Sequence, residues 1–482
     1  MYNFEALTGF PGKNKRREPL RFRSKGVAFA SFLGFIRLSP RKDLRGLQMK
    51  DNTILGPHDR PPLVRWIPLS FQHVFAMFGA TILVPLLTGL SPSTALFTAG
   101  TGTLIYILLT SAKVPAFLGS SFAFIPALTS ISEAYGMPSA MGGAFAAGIF
   151  YAIVAGIIKI SGKGWLDKAL PPVVIGSVII VIGLNLAPTA MKSAMYNGDT
   201  YSLVYFSIAI VTLAIAIIAT IFLKGFFNTI SILIGLVGGY LFTLIMGVFF
   251  PAYDIIDFTI VKEASWLGLP FMQVNEEGKY FWMVPKFEFI PIITFIIVSL
   301  ATICEHLGDT LVTSRVVGKD FYKDPGLHRT LLGDGVATSW AALWGGPPNT
   351  TYGENIGVMA ITKVYSVWVI GGAAVIAVLL SFIQKFGAII QTIPGPVMGG
   401  ISMLLYGLIA SSGLRTIVES GVDYKDKRNL TISSVILVIG IGGGTLKFVL
   451  GESFEFSLGG VALATVVGII LNLIIPVTKS EE

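Results

Sequence analysis

From Trp66 onward the chain is a succession of apolar runs divided by short polar breaks, near 66–88, 93–111, 115–131, 140–160, 170–188, 202–222 and 228–250. A polar stretch over 251–287 interrupts the series. It resumes near 288–309, 329–345, 348–362, 366–384, 389–411, 430–447 and 457–476. A helix that crosses a bilayer needs about 20 mostly apolar residues, since each adds about 1.5 Å across a hydrocarbon core about 30 Å thick. Most of the runs reach that length. The pattern predicts an all-α polytopic membrane protein of fourteen transmembrane segments, seven before the polar stretch and seven after it.

The runs at 115–131 and 348–362 are the weak ones, and each is third in its set of seven. One opens Pro115-Ala116-Phe117-Leu118-Gly119-Ser120-Ser121-Phe122; the other follows Pro347-Pro348 with Asn349-Thr350-Thr351-Tyr352-Gly353. Proline lacks a backbone donor, and the residues that follow favour turns, so no continuous helix is expected through either stretch. In lipid, unwound backbone is tolerated only where protein buries it or where it lines a cavity. Interrupted spans at matching positions point to two repeats that meet at a substrate site. A repeat with an odd number of spans must be inverted relative to its twin.

Composition sharpens this reading. Of 482 residues, 53% are hydrophobic and only 13% charged, where a soluble chain carries about 25% charged residues. The single cysteine, Cys304, excludes an internal disulfide framework and a cysteine-based zinc site, and is expected to be a small packing residue. The net charge of +8 is misleading, because residues 1–50 hold 12 Lys/Arg against 3 Asp/Glu, leaving 8 − 9 = −1 for the rest. The basic character belongs to a tail, and nucleic-acid binding is not implied. Residues 1–60 are expected to be a disordered basic extension, with Met49 as the natural start and Gly26 to Ile36 too short to span. The body then divides into a first inverted repeat over 61–250, an extracellular loop over 251–287, a second repeat over 288–477 and a cytoplasmic tail over 478–482. With the N-terminus inside, the loops on its side and the C-terminus carry 15 Lys/Arg from residue 66 onward. The opposite side carries 6. Cytoplasmic loops are the basic ones, so both termini are expected in the cytoplasm of a cell with the protein in its inner membrane.

Charges inside the apolar runs are the candidates for chemistry. A charged side chain at bilayer depth costs about 2.5–3.5 kcal/mol even on lenient scales, so function usually retains it. Glu354 stands just past the second break. Glu305 closes an apolar run that begins at Ile290, and Asp309 follows four residues later. At that spacing both carboxylates lie on one helix face, where a single proton relieves their repulsion. Asp309 alternatively reaches the headgroup layer. Gln72-His73 is a polar pair within the first run; His73 is read as a helix–helix hydrogen bond before a proton relay. Gly162-Lys163 lacks the spacing and hydroxyl of a phosphate loop, and the four histidines are scattered, so neither ATP drive nor a metal or other cofactor is expected.

Glu354-Asn355-x-Gly357 followed by Thr362-Lys363 resembles the signature of the nucleobase–ascorbate transporter family, and 349–359 is most similar to its bacterial uracil-transporting branch. The resemblance extends from about Pro61 to about Val477 and includes Asp324-Pro325-Gly326-Leu327-His328-Arg329. It implies a short strand leading into a half-helix at each broken span, a core domain of spans 1–4 and 8–11, and a gate domain of spans 5–7 and 12–14. It further implies import of uracil with protons, in a possible homodimer. Glu305 then contacts the base and Glu354 selects it. Gln at the latter position accompanies xanthine- or urate-type substrates. Phe122 covers the flat π-face, while Tyr352, Gly353 and Ser121 supply the walls and free backbone N–H groups. Gln72, His73 and Asn355 support the site from behind. The uracil branch commonly carries His where this chain has Asp309, which leaves open whether Glu305 or Asp309 carries the proton. Three alternatives stand beside this reading. They are a purine or xanthine permease of the same family, an anion transporter of the same fold, and a membrane-embedded hydrolase using Glu305, Asp309 and Glu354.

Overall fold

The computed structural model of the chain describes residues 54–249, 255–274, 280–449 and 455–476. Most of the expected basic extension and the tail at 478–482 lie outside the described residues. The fold is mostly helical. Its principal helices are α1 (Leu63–Thr88), α2 (Pro92–Leu109), α3 (Ile125–Tyr135), α4 (Met137–Ser161), α5 (Pro172–Asn185), α6 (Leu203–Phe222) and α7 (Ser231–Phe249). The second half supplies α8 (Phe289–Val317), α9 (Leu327–Leu343), α10 (Gly353–Thr362), α11 (Val367–Ser381), α12 (Gly395–Glu419), α13 (Lys427–Ile441) and α14 (Gly460–Ile474). Among the described residues, eight helices are long and apolar enough to cross a membrane: α1, α2, α4, α5 with its continuation to Met195, α6, α7, α8 and α12.

Local sequence accounts for many of the boundaries. Ser91, Ser202 and Asp426 cap α2, α6 and α13 with side-chain oxygens that accept first-turn N–H bonds. Prolines also set a limit that hydropathy does not register. The run expected over 389–411 is two helices, Gln384–Gln391 and then α12, because Pro394 and Pro396 fit only the beginning of a helix. The run expected over 430–447 stops at Ile441, where Gly442-Gly443-Gly444 ends the helix. Thr445–Val449 then pairs antiparallel with Glu455–Gly459, so the last helix begins at Gly460 and not near 457.

Each half packs against the other. α4 lies on α9 and α8, and α11 lies on α2 and α1. α6 contacts α7 and α12, while α13 contacts α14 and α5. The described parts of the 251–287 loop lie across α2 and α9: Trp282 stacks on Trp344 at 5.4 Å and donates to the Leu343 carbonyl at 2.8 Å, and Thr94 donates to the Pro270 carbonyl at 2.6 Å. Residues 55–59 run beside the turn after α10, with Leu55 and Pro57 hydrogen-bonded to the backbone of Lys363, Tyr365 and Val367.

Candidate functional site

Two three-residue strands meet at the middle of the helical body. β1 (Leu118–Ser120) and β2 (Asn349–Thr351) are fully buried and antiparallel, with Gly119 opposite Thr350. Because the strands run in opposite directions, the segments after them leave from opposite ends. Ser121 leads into a 3-10 turn, Phe122–Phe124, and then α3; Tyr352 leads into α10. Side chains from neighbouring helices hold the pair. Thr103 on α2 accepts from Leu118 N–H at 2.9 Å, Thr338 on α9 donates to the Asn349 carbonyl at 2.9 Å, and Asn349 donates to the Thr98 carbonyl at 3.1 Å. These bonds satisfy backbone that no helix ladder serves. At Gly119 a Cβ would fall 2.4 Å from the Tyr352 ring, so only glycine lets the ring lie there. Tyr352 Oη donates to the Ser120 carbonyl at 3.1 Å and locks the two breaks together.

The acids converge on this crossing. Glu305 and Asp309 sit in the middle of α8, which continues to Val317 and packs against both β2 and α10. Asp309 Oδ2 accepts from Thr351 Oγ1 at 2.9 Å, so its carboxylate turns to the strand pair and not to the end of the helix. Glu305 is half-buried, and its Oε2 is enclosed without a hydrogen-bond partner. Asp309, Asp334 and Glu354 are all within electrostatic reach of it. Glu354 lies in the first turn of α10, a helix whose N-cap residue Tyr352 offers no side-chain cap. The first N–H groups of that helix therefore have no intrahelical partner. Gly353 is exposed, and a Cβ there would meet nothing within 4 Å. Open space lies beside the glycine that starts the half-helix.

Other expected residues fall around this centre in different ways. Phe122 is buried and packs edge-on against Tyr406 of α12, ring centroids 5.9 Å apart. Ser121 is buried, but its N–H is not free as expected: it donates to the Pro348 carbonyl at 2.8 Å, because the strand pair consumes it. Asn355 Nδ2 lies 3.1 Å from both the His73 carbonyl and His73 Nδ1, which joins α10 to α1. Gln72 is half-buried beside His73, and its side chain makes no hydrogen bond among the described residues. Cys304 is buried.

Sequence reasoning passed over a buried pair of ionisable side chains. His306 Nδ1 lies 3.2 Å from Asp334 Oδ2, with both side chains fully buried between α8 and α9. His306 Nε2 is 3.1 Å from Thr330 Oγ1. The rule that singles out Glu305, a charge inside an apolar run, applies equally to Asp334. His306 was hidden beside Glu305, on another face of the same helix. Asp334→Ala strips a fully buried partner and is expected to cost about 1–3 kcal/mol of stability, more where charge is involved. Asp334→Asn keeps an acceptor and should cost less. Thermal unfolding of the purified variants checks this; a parental midpoint for Asp334→Ala overturns it.

The sequence profile of a permease family matches residues 64–448. The uracil permease of Bacillus subtilis (strain 168) is 50% identical over 444 residues, 90% of this chain and 98% of its own length. The chain belongs to the nucleobase–ascorbate transporter family. Another member of the family, the uracil permease of Escherichia coli (strain K12), is 45% identical over 435 residues, 89% of this chain and 96% of that protein. A nucleobase–ascorbate transporter is a multi-pass membrane transporter and not an enzyme. Two solved structures share the fold. The transmembrane domain of the cyanobacterium bicarbonate transporter BicA has a TM-score of 0.59 at 12% identity and covers 87% of this chain and 100% of its own. The murine Slc26a9 anion transporter in the inward-facing state has a TM-score of 0.59 at 10% identity, with 86% and 68% covered.

Proposed function

We propose that the protein imports uracil across the cytoplasmic membrane by proton symport. The observation that carries this reading is the placement of three acids around the strand pair, Glu305 and Asp309 on α8 and Glu354 at the start of α10, beside open space at Gly353. Uracil is a flat ring with N–H donors and carbonyl acceptors. A carboxylate accepts the former, and first-turn N–H groups of α10, which have no intrahelical partner, meet the latter. The uracil permeases at 45–50% identity support the choice of base. Glu305 and Asp309 are the proposed proton carriers, since protonation removes the cost of moving a carboxylate through a dry site. One proton entering across about 100 mV supplies about 2.3 kcal/mol, enough for about 40-fold accumulation.

The fourteen-span, inverted-repeat reading belongs to the same proposal, with the 115–131 and 348–362 runs as the broken spans. It is supported by a symmetry in the packing. Exchanging α1–α7 with α8–α14 turns the α4–α9 contact into α11–α2, α4–α8 into α11–α1, and α6–α7 into α13–α14. In this reading α1–α4 and α8–α11 are the core, α5–α7 and α12–α14 the gate, and the Phe122–Tyr406 contact bridges them. The excess of Lys and Arg on one side, 15 against 6, supports cytoplasmic termini.

Uptake of radiolabelled uracil by proteoliposomes tests the function. Accumulation is expected with an inward acid gradient and not without one. Xanthine accumulated in place of uracil would favour the purine branch, and equal uptake with and without the gradient would overturn proton coupling. Gly353→Ala provides a second check. The added methyl meets no protein atom within 4 Å, so folding should be untouched. Intruding where the base approaches, it should weaken uracil binding at least about tenfold, since a well-packed contact tolerates no extra carbon. Parental affinity would place the base elsewhere.

A further inference from the structure

A cavity lies at the end of the body where α1 and α11 begin and α2 finishes, lined by none of the strand-pair residues. It encloses about 450 Å³, in the range of small-ligand pockets. Its walls are apolar, with Leu63, Ile67, Leu104, Ile107, Val375 and Ile376 among them. Several of these, including Leu63, Ile67 and Val375, are exposed on the outer surface, so the slot opens sideways from the helical body. The hollow exists because α11 carries Gly371 at this level: a Cβ there would have only Ile107 Cδ1, at 3.7 Å, for company.

The mouth of the slot is chemically different from its walls. Trp66 and Trp368 meet edge to face with centroids 6.3 Å apart, and Trp66 Nε1 donates to the Trp368 carbonyl at 2.6 Å. The guanidinium of Arg60 lies 5.1 Å from the Trp66 ring and 5.2 Å from the Trp368 ring. Arg65, the residue before Trp66, is exposed. Neither arginine has an ion-pair partner among the described residues. The nearby acid, Asp59, is turned back onto the Gly56 N–H at 2.7 Å. Tryptophan rings favour the membrane–water interface, so this cation is held at headgroup level directly above an acyl-sized slot. A guanidinium on two indole faces is fixed in place, yet its N–H groups remain free to bind phosphate in a fork.

We infer that this slot is a binding site for an anionic phospholipid, with one acyl chain between α1, α2 and α11 and the phosphate on Arg60. Any outward-facing helix of a membrane protein touches lipid. What sets this place apart is concavity joined to an immobilised cation with no ion-pair partner among the described residues. The chain's own apolar segment at Gly26 to Ile36 is a poorer occupant, because it comes with 12 Lys/Arg over residues 1–50 and would bring like charge to Arg60. With cytoplasmic termini the lipid belongs to the inner leaflet; that detail rests on the proposed orientation, whereas the binding does not.

The test uses the full-length protein, delipidated in a nonionic detergent and titrated with dioleoyl phosphatidylglycerol or dioleoyl phosphatidylcholine, with bound lipid read by native mass spectrometry. One phosphatidylglycerol should be retained about fivefold more tightly than phosphatidylcholine, the preference expected of one basic residue at the interface. Arg60→Gln should bring phosphatidylglycerol down to the phosphatidylcholine level. Gly371→Leu should fill the slot and lower retention of both. Because Arg60 is exposed, its substitution leaves the fold intact and keeps the test decisive even if the glycine variant misfolds. Equal retention of the two lipids by the parent, or unchanged phosphatidylglycerol retention in Arg60→Gln, overturns the site.

Discussion

Glu354→Gln is expected to abolish uracil binding while leaving the protein folded. Glu354 is in the first turn of α10, beside the open space at Gly353 and within electrostatic reach of Glu305. An ionised carboxylate only accepts hydrogen bonds, which matches the N–H groups of uracil. Such charge-assisted bonds are about twice as strong as neutral ones. Glutamine is nearly the same shape but replaces one oxygen with a donor. That donor would face an N–H of the base and leave polar groups on both sides unpaired. Sites built on such bonds reject a mismatched partner by about 10⁴-fold. Glu354→Asp preserves the acceptor and only shortens its reach, so it should weaken binding less. Scintillation proximity binding on purified, monodisperse variants measures both; a Glu354→Gln protein with parental affinity for uracil would sink the assignment.

Asp309→Asn is expected to separate transport from its driving force. The amide cannot take up a proton, but its oxygen can still accept the hydrogen bond from Thr351, so the strand pair should keep its place. Counterflow exchange of uracil should persist. Gradient-driven accumulation should fall from the available level of about 40-fold to equilibration. If the variant still concentrates uracil, the proton travels on Glu305, whose enclosed Oε2 has no hydrogen-bond partner. Exchange and accumulation measured on the same vesicles distinguish the two outcomes.

Both predictions start from acids that hydropathy alone makes conspicuous. A charge in an apolar run stands out because water is the only cheap environment for it, and that logic picks out Glu305, Asp309 and Glu354. The breaks at 115–131 and 348–362 are legible for a related reason, since proline and turn-forming residues leave backbone groups that lipid cannot satisfy. Asp334 obeys the same rule as the other acids and was missed. Its partner His306 could not have been paired with it from sequence, because the two sit on different helices and only packing brings them together.

Hydropathy and spacing by themselves determined that this is a mostly helical membrane protein, and they marked two weak apolar runs and a small set of acids within apolar runs. Those features depend on local chemistry, the transfer cost of each side chain and the torsional limits of each residue, which any short window of sequence records. Only the tertiary structure decided that β1 pairs with β2, that this pairing consumes the Ser121 N–H, and that Asp309 turns to Thr351 and not to the headgroups. It alone placed Tyr406 against Phe122 and Arg60 over two tryptophans. Apart from Arg60 over nearby Trp66, each of these contacts joins residues far apart along the chain. The bonds and packing they form must offset the entropy of closing long stretches of chain, and no local pattern encodes which stretches close, so they become visible only once the helices are packed.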